Sequence, residues 1–335
     1  MKEPTIKDVA AAADVSVTTV SRYLHQQFQK MSPDTRDRIQ RAISQLNYHP
    51  KVAAQQLRGV KTKLIGVIIA DISDQYMALL FKGIYDQMVT AGYQVLVMNS
   101  NNDQELERQE IHQLLSKQID GLIIQPSAAD FAAYQMVVDN HVPFVTIDRP
   151  IANQPTSVPH VASNNYDSAV QFAELIFNQH GYDNILTIKE FQAQTSGQDE
   201  RHAGYQAVAA QLNHPYRLLT VQYESNTWLA ETIRDHLQHA TGKTMIIGLT
   251  GRLMYRLIET LSPQQYQYGV DFGLAGYDVD DWERFIQHGI TMLHHYPHQI
   301  GSTAAQTLLA LLTHPQQPQP ARLLIPIDRQ DRPSY

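Results

Sequence analysis

Residues 5–24 read TIKDVAAAADVSVTTVSRYL. Ile6, Val9, Ala10 and Ala13 keep the spacing of one helical face, and Thr5 with Asp8 fits a capping box opening that helix. Asp14-Val15-Ser16 breaks the pattern. Ser16 then caps a second short helix that buries Val20 and Leu24. Val17, Thr18, Thr19, Ser21 and Arg22 are left on its free side. A helix with small and hydroxylated residues at its start and an arginine one turn on can enter a DNA major groove. Two ordinary amphipathic helices of a bundle would share the periodicity. The periodicity alone does not separate the two readings.

Working outward, Ser32 and Pro33 open a third helix to Asn47, with Ile39, Ala42, Ile43 and Leu46 as its buried stripe. Tyr48-His49-Pro50 ends it. The segment KVAAQQLRGVKTK (51–63) has a thin apolar stripe and is marginal as an isolated helix. Charge follows the same division. Residues 1–63 hold eleven Lys and Arg against five Asp and Glu, while the other 272 hold fifteen against twenty-eight. A basic head of +6 on an acidic body of −13 argues for one dedicated nucleic-acid module within a net charge of −7.

From Leu64 the chain alternates apolar runs with helical segments: LIGVIIA (64–70), VLVM (95–98), GLII (121–124), FVTI (144–147), ILTI (185–188), LLTV (218–221), MIIGL (245–249) and FGLAGY (272–277). Continuous apolar strands separated by helices imply parallel sheets covered on both faces, here two doubly wound lobes. Ligands of such sheets lie beyond the carboxyl ends of the strands. Asp71 follows the first strand, Asp148-Arg149 the fourth and Asp278 the eighth. Singly, each aspartate reads as a cap or turn residue. Recurring at three strand ends, they suit a polyhydroxylated ligand, with carboxylates accepting from hydroxyls and arginine donating a planar fork.

The wording of several segments resembles the LacI family of bacterial transcription regulators: TIKDVA, VS and TVSR in the head, then Asn164-Asn165, Arg201 with Gly204-Tyr205, Gly276-Tyr277-Asp278, Ile300-Gly301 with Ala304-Ala305, and Arg332 with Ser334. The resemblance spans nearly the whole chain. It implies an all-α helix-turn-helix headpiece (1–49), a hinge helix or linker (50–63) and an effector-binding, dimerising core (64–335). The core would be two α/β lobes of periplasmic-binding-protein type, one at about 64–161 plus 293–325 and the other at about 162–292. Val17 and Thr18 would touch base edges, Arg22 would read guanine, and Ser16, Thr19 and Ser21 would hold phosphates. Tyr48, Lys51, Ala54 and Leu57 fall on the family's hinge pattern, YxPNxxARxLxxxxT. Lys51 would contact a phosphate, and Leu57 would be the minor-groove wedge that unstacks a base step. In the core, Tyr76 would stack on the effector while Asp148, Arg201 and Asp278 hydrogen-bond it, beside Asp71 and Arg149.

Departures are specific. Lys51 and Gln55 replace the hinge's Asn and Arg, Asp14 replaces a turn glycine, and Asp74-Gln75-Tyr76 stands for Asn-Pro-Phe. Thr250-Gly251 stands for the Asn-Asp that supplies effector contacts. VSRYL, KMSPDTRDRI, ADIS and DGLII look most like the branch holding ketodeoxygluconate-operon repressors, which points to a sugar acid.

The resulting expectation is a cytosolic homodimer that binds pseudo-palindromic operator DNA and represses carbohydrate genes under control of a sugar or sugar-acid effector, without cofactor, metal or membrane partner. The absence of cysteine excludes disulfides, thiolate metal sites and a cysteine nucleophile. No apolar signal core or membrane-length run occurs. A plain sugar-binding protein shares the two lobes but needs no basic head. An enzyme finds no support in a nucleophile–base pair or cofactor motif. His294-His295, His298, His236 and His239 read as solvated or interface histidines. Asp280-Asp281 with Glu283 reads as a solvated acidic face, and 314–320 (HPQQPQP) as a loop before a last strand, LLIPI.

Overall fold

The computed structural model describes residues 4–24, 27–48, 61–191, 196–262, 266–279, 282–286 and 289–335. The expectations for Lys51, Ala54 and Leu57 lie outside the described residues. The chain divides into two compact units, Met1–Thr62 and Lys63–Tyr335.

In the first unit, α1 (Ile6–Ala12), α2 (Val17–Leu24) and α3 (Pro33–Leu46) surround Val9, Ala10, Ala13, Val20, Met31, Ile39 and Ala42. The Asp8 carboxylate accepts from the Thr5 N–H and hydroxyl, both at 2.7 Å, so the entry to α1 is fixed by its own sequence. Ser32 caps α3 by accepting from the Thr35 N–H at 3.2 Å. Between α1 and α2, Asp14 takes φ 48°, the left-handed turn for which glycine is usual and aspartate is tolerated. Arg38 on α3 holds this turn, donating to the Ala13 carbonyl at 3.2 Å. Tyr48, expected at the DNA, is 8% exposed and packs in this core.

The second unit runs β1 (Leu64–Ile69), α4 (Gln75–Thr90), β2 (Gln94–Asn99), α5 (Gln104–Ser116), β3 (Gly121–Ile124), α6 (Gln135–Asp139), β4 (Phe144–Ile147), β5 (His160–Ser163), α7 (Asn165–Asn178), β6 (Asn184–Glu190), α8 (Gly197–Leu212), β7 (Tyr216–Val221), α9 (Asn226–His239), β8 (Thr244–Gly248), α10 (Gly251–Leu261), β9 (Gly273–Asp278), β10 (Thr291–His294), α11 (Pro297–Thr313), β11 (Arg322–Ile325) and β12 (Asp328–Gln330). One sheet has the order β11-β5-β4-β3-β1-β2 and the other β12-β10-β9-β8-β6-β7. All pairings are parallel except β12 on β10.

Alternation along each strand feeds a core on either face, as a doubly wound sheet requires. On β1, Ile65, Val67 and Ile69 pack with α4 and α11, while Ile68 packs with α5 residues on the other side. In the second sheet Ile185 and Ile247 share one core with α7 and α8, and Leu186 and Ile246 share the other with α9 and α10. The crossing of α4 and α11 is tight. A Cβ on Gly301 would lie 2.0 Å from the Leu80 carbonyl oxygen, and one on Gly83 2.1 Å from that of His298. Only glycine permits that backbone approach.

The chain passes from sheet to sheet after β5, after β10 and between β11 and β12. β5 and β10 lack the long apolar runs of the other strands. His160, Ser163, Thr291 and His294 interrupt them, yet all four are buried. The last residues are stitched into the second sheet. The Ser334 hydroxyl donates to the Leu274 carbonyl at 2.7 Å and accepts from the Thr291 N–H at 2.8 Å. Arg332 donates to Glu283 at 3.1 Å. Glu283 is therefore no solvated acid: it is fully buried, with His294 3.5 Å away.

Candidate functional site

On α2 the chemistry is presented outward. The Ser16 hydroxyl accepts from the Thr19 N–H at 3.1 Å and lies 2.8 Å from the Thr19 hydroxyl, so it serves as the N-cap. Val17 is 41% exposed, Thr18 and Arg22 are exposed, and Thr19 and Ser21 are half-buried. Val20 beneath them is fully buried and holds the helix down. No acidic residue stands in its first turn. The helix start, where backbone N–H groups favour anions, is open to a phosphate.

In the second unit, a cleft of about 400 Å³ opens where the carboxyl ends of the two sheets face one another. Asp71, Tyr76, Asp148, Arg149, Arg201 and Asp278 all line it. From the first sheet, Asp148 follows β4 with φ 65°, a conformation rare outside glycine and held by its N–H to the Val161 carbonyl at 2.9 Å. Its carboxylate accepts from the Tyr76 hydroxyl at 2.9 Å and from Gln125 Nε2 at 2.7 Å. Burial pushes the Tyr76 phenol well above its usual range, and the Asp148 charge adds to this. Asp71 accepts from the Ser73 hydroxyl at 2.6 Å, which lowers its pKa. Asp74 caps α4 by accepting from the Tyr76 N–H at 2.8 Å.

The arginines stand apart. Arg149 is 9% exposed and donates to Asn102 Oδ1 at 2.6 Å and to the Pro126 carbonyl. Arg201 on α8 is 8% exposed, donates to Asn165 Oδ1 at 2.9 Å and to the Leu249 carbonyl, and lies 4.3 Å over the Tyr277 ring. Burial lowers its pKa. Among the described residues neither forms an ion pair with a carboxylate. Asp148 attracts Arg201 from a distance, but both buried guanidinium groups spend their hydrogen bonds on neutral groups, which leaves room for a carboxylate.

Asp278 is differently placed. It accepts from the Val279 N–H at 2.7 Å and from the Trp282 indole, which stacks on Tyr255 at 4.4 Å. Gly251 makes room for it: a Cβ there would sit 2.5 Å from Asp278 Oδ1. Thr250, its neighbour, caps α10 by accepting from the Leu253 N–H at 3.2 Å and donates to Glu190 at 3.0 Å. The Thr250-Gly251 departure thus supplies a cap and a space, not an acid. Arg252 reaches across the cleft mouth, 3.4 Å from Glu190 on its own side and 3.6 Å from Asp74 on the other.

His295 overturns the solvated alternative of its sequence reading and keeps the interface one. It is 5% exposed and lines the cleft. Its Nδ1 lies 2.9 Å from the Ser163 hydroxyl, and its ring stacks on Tyr277 at 5.6 Å and meets Tyr76 edge-on at 5.8 Å. His294 is equally buried, so neither is a solvated histidine. Gln125 and Arg252 were also missed. Gln125 directly follows the GLII strand, the same strand-end signal that marks Asp71 and Asp148, whereas Arg252 lies inside a helix and has none.

A groove-sized helix on a small basic head and a ligand-sized cleft between two parallel sheets define a ligand-responsive DNA-binding regulator. Residues 5–51 match the model of the bacterial regulatory proteins of the lacI family, and residues 65–316 the periplasmic binding protein domain. The chain is 30% identical over 308 residues to the HTH-type transcriptional regulator KdgR of Bacillus subtilis, covering 91% of this chain and 90% of that one. It is also 30% identical over 328 residues to the regulator PtxS of Pseudomonas aeruginosa, covering 96% and 94%. The structure of the lac repressor dimer bound to operator and the anti-inducer ONPF shares the fold, with TM-score 0.82 and 21% identity over 99% of both chains. The chain belongs to the LacI family and is a DNA-binding transcriptional regulator. Among the described residues no helix is long and apolar enough to cross a membrane.

Proposed function

We propose that the protein acts as a cytoplasmic, non-catalytic repressor of carbohydrate genes. It binds a pseudo-palindromic operator as a homodimer and responds to a sugar or sugar-acid effector held between its lobes. Each α2 enters a major groove. Val17 and Thr18 meet base edges, Arg22 reads guanine, and Ser21 with the start of α2 meets the backbone. Lys51, Ala54 and Leu57 belong to the hinge in this reading.

The observation that carries the effector half is the pair of buried guanidinium groups, Arg149 and Arg201, whose hydrogen-bond partners at the cleft are all neutral. A carboxylate supplies what they lack, and Tyr76 offers an apolar platform for the carbon face. This favours a sugar acid over a neutral sugar. Response then follows from unequal effector affinity for two lobe arrangements, which is reciprocal with DNA affinity.

A gel-shift of the whole protein on its own upstream DNA, with and without compounds that raise its melting temperature, tests the reading. Expected is a salt-sensitive complex whose affinity changes with a sugar acid. Failure to bind any duplex rejects the DNA half. A melting temperature indifferent to sugars and sugar acids rejects the other.

A further inference from the structure

Each buried guanidinium of the cleft hydrogen-bonds an amide oxygen, and the N–H of that same amide reaches a carboxylate. Arg149 Nη1 donates to the Pro126 carbonyl at 3.4 Å, and the other end of that peptide, the Ser127 N–H, donates to Glu107 Oε2 at 2.7 Å. Glu107 on α5 is 2% exposed and accepts at Oε1 from the Tyr134 hydroxyl at 2.7 Å. Burial raises its pKa, and both donors oppose that rise. Arg201 repeats the pattern through a side chain. Its Nε donates to Asn165 Oδ1 at 2.9 Å, and Asn165 Nδ2 donates to Glu200 Oε2 at 3.1 Å. Glu200 Oε1 accepts from Arg322 at 2.6 Å.

Both bridges orient the amide alike, its oxygen toward the cation and its N–H toward the anion. An amide bonded at both ends is polarised, so each bond strengthens the other. A carboxylate can thereby offset a guanidinium that it never touches, and a buried charge without such an offset is costly. Neither Glu107 nor Glu200 lines the cleft, so both act from behind its wall.

We propose that Glu107 and Glu200 are positioning residues that hold Arg149 and Arg201 in place, each through one amide, and that they set how strongly the cleft prefers an acid to a neutral sugar. The inference rests on the proposed effector reading of the cleft and deepens it. Glu200 has a second consequence. It lies on α8, which packs on the second sheet, whereas Arg322 opens β11 of the first. The support of Arg201 is therefore anchored on the opposite lobe.

NMR of nitrogen-labelled whole protein reads the bridging N–H groups without any ligand: the Arg201 Nε–H, assigned by its loss in Arg201→Lys, the Asn165 carboxamide and the Ser127 amide. Glu200→Gln keeps an acceptor and removes its charge, so the Asn165 and Arg201 protons should move upfield. Arg322→Gln frees Glu200 of its competing cation, so the same protons should move downfield. At the other bridge, Glu107→Gln should move the Ser127 proton upfield and Tyr134→Phe should move it downfield; the second variant reads that bond even where the first fails to fold. Shifts of one sign throughout mean ordinary loosening and overturn the proposal, as does no shift. Calorimetric titration then uses D-gluconate and D-glucose, which share a carbon skeleton and differ in the acid. In Glu200→Gln, gluconate should bind roughly threefold tighter or more, with glucose unmoved, because one opposing charge is gone. A loss for gluconate, or an equal change for both, overturns the proposal and leaves the proposed function standing. If neither sugar binds the unaltered protein, the effector reading falls and takes the inference with it.

Discussion

The headpiece and the cleft put their working side chains to opposite use. On α2, Val17, Thr18 and Arg22 are exposed above one buried anchor, Val20. In the cleft, Arg149, Arg201, Asp278 and His295 are each under 10% exposed and engaged with protein partners. A DNA groove comes to an exposed helix and finds side chains free to adjust. A small ligand must instead replace partners already in place, so the cleft is preorganised and costly to disturb. Substitution should therefore hurt more on the buried side than on the exposed one.

The largest effect is expected at Arg201→Ala. It removes the buried guanidinium and strands Asn165 and the Leu249 carbonyl, so the effector response should fall at least a hundredfold, about 3 kcal/mol or more. Calorimetric titration with a responsive sugar acid measures it; an unchanged affinity would end the contrast. Next comes acid. Burial, with Arg322 nearby, lowers His160 to about 4. Between pH 6.5 and 4 the unfolded chain binds this proton and the folded core does not. Stability is therefore full above 6.5 and falls toward 4, by about 3 kcal/mol from this group when complete. Denaturant melts across that range should show a slope that His160→Gln flattens.

On the exposed side, Arg22→Ala should cost about 1–3 kcal/mol of operator affinity and relax the preference at one base position. A selection from randomised operators that returns the same preference would remove Arg22 from base reading. Ser16→Ala, loss of an N-cap, should cost about 1 kcal/mol of headpiece stability, visible in a thermal melt. Arg252→Ala is expected to move stability within about 1 kcal/mol, since its two ion pairs lie at a 67% exposed side chain. A larger loss would place the mouth of the cleft with its interior.

Legibility divides along the same line. The headpiece was readable because its signals are local: Thr5 with Asp8, Ser16 one residue before α2, Pro33 at the start of α3. The strand-end residues Asp71, Asp148, Arg149 and Asp278 were readable because apolar runs mark where strands stop. β5 and β10 were not. Their histidines and threonine look like surface, and become interior only through partners far along the chain: Thr146 for His160, Ser334 for Thr291. Glu283 and His295 misled for that reason. Their burial is set by Arg332 and by Ser163, and no window of sequence contains both members of either pair.

Residues 322–334 supply a strand to each sheet and a clamp on Glu283. Among the described residues, the headpiece elements end by residue 46. On a ribosome the reading head therefore emerges and folds while both lobes still await their closing strands, since chains fold domain by domain from the amino end. During that interval a nascent molecule carries a complete helix-turn-helix while the cleft of its second unit is still unfinished. The cell meets the protein's address before its switch.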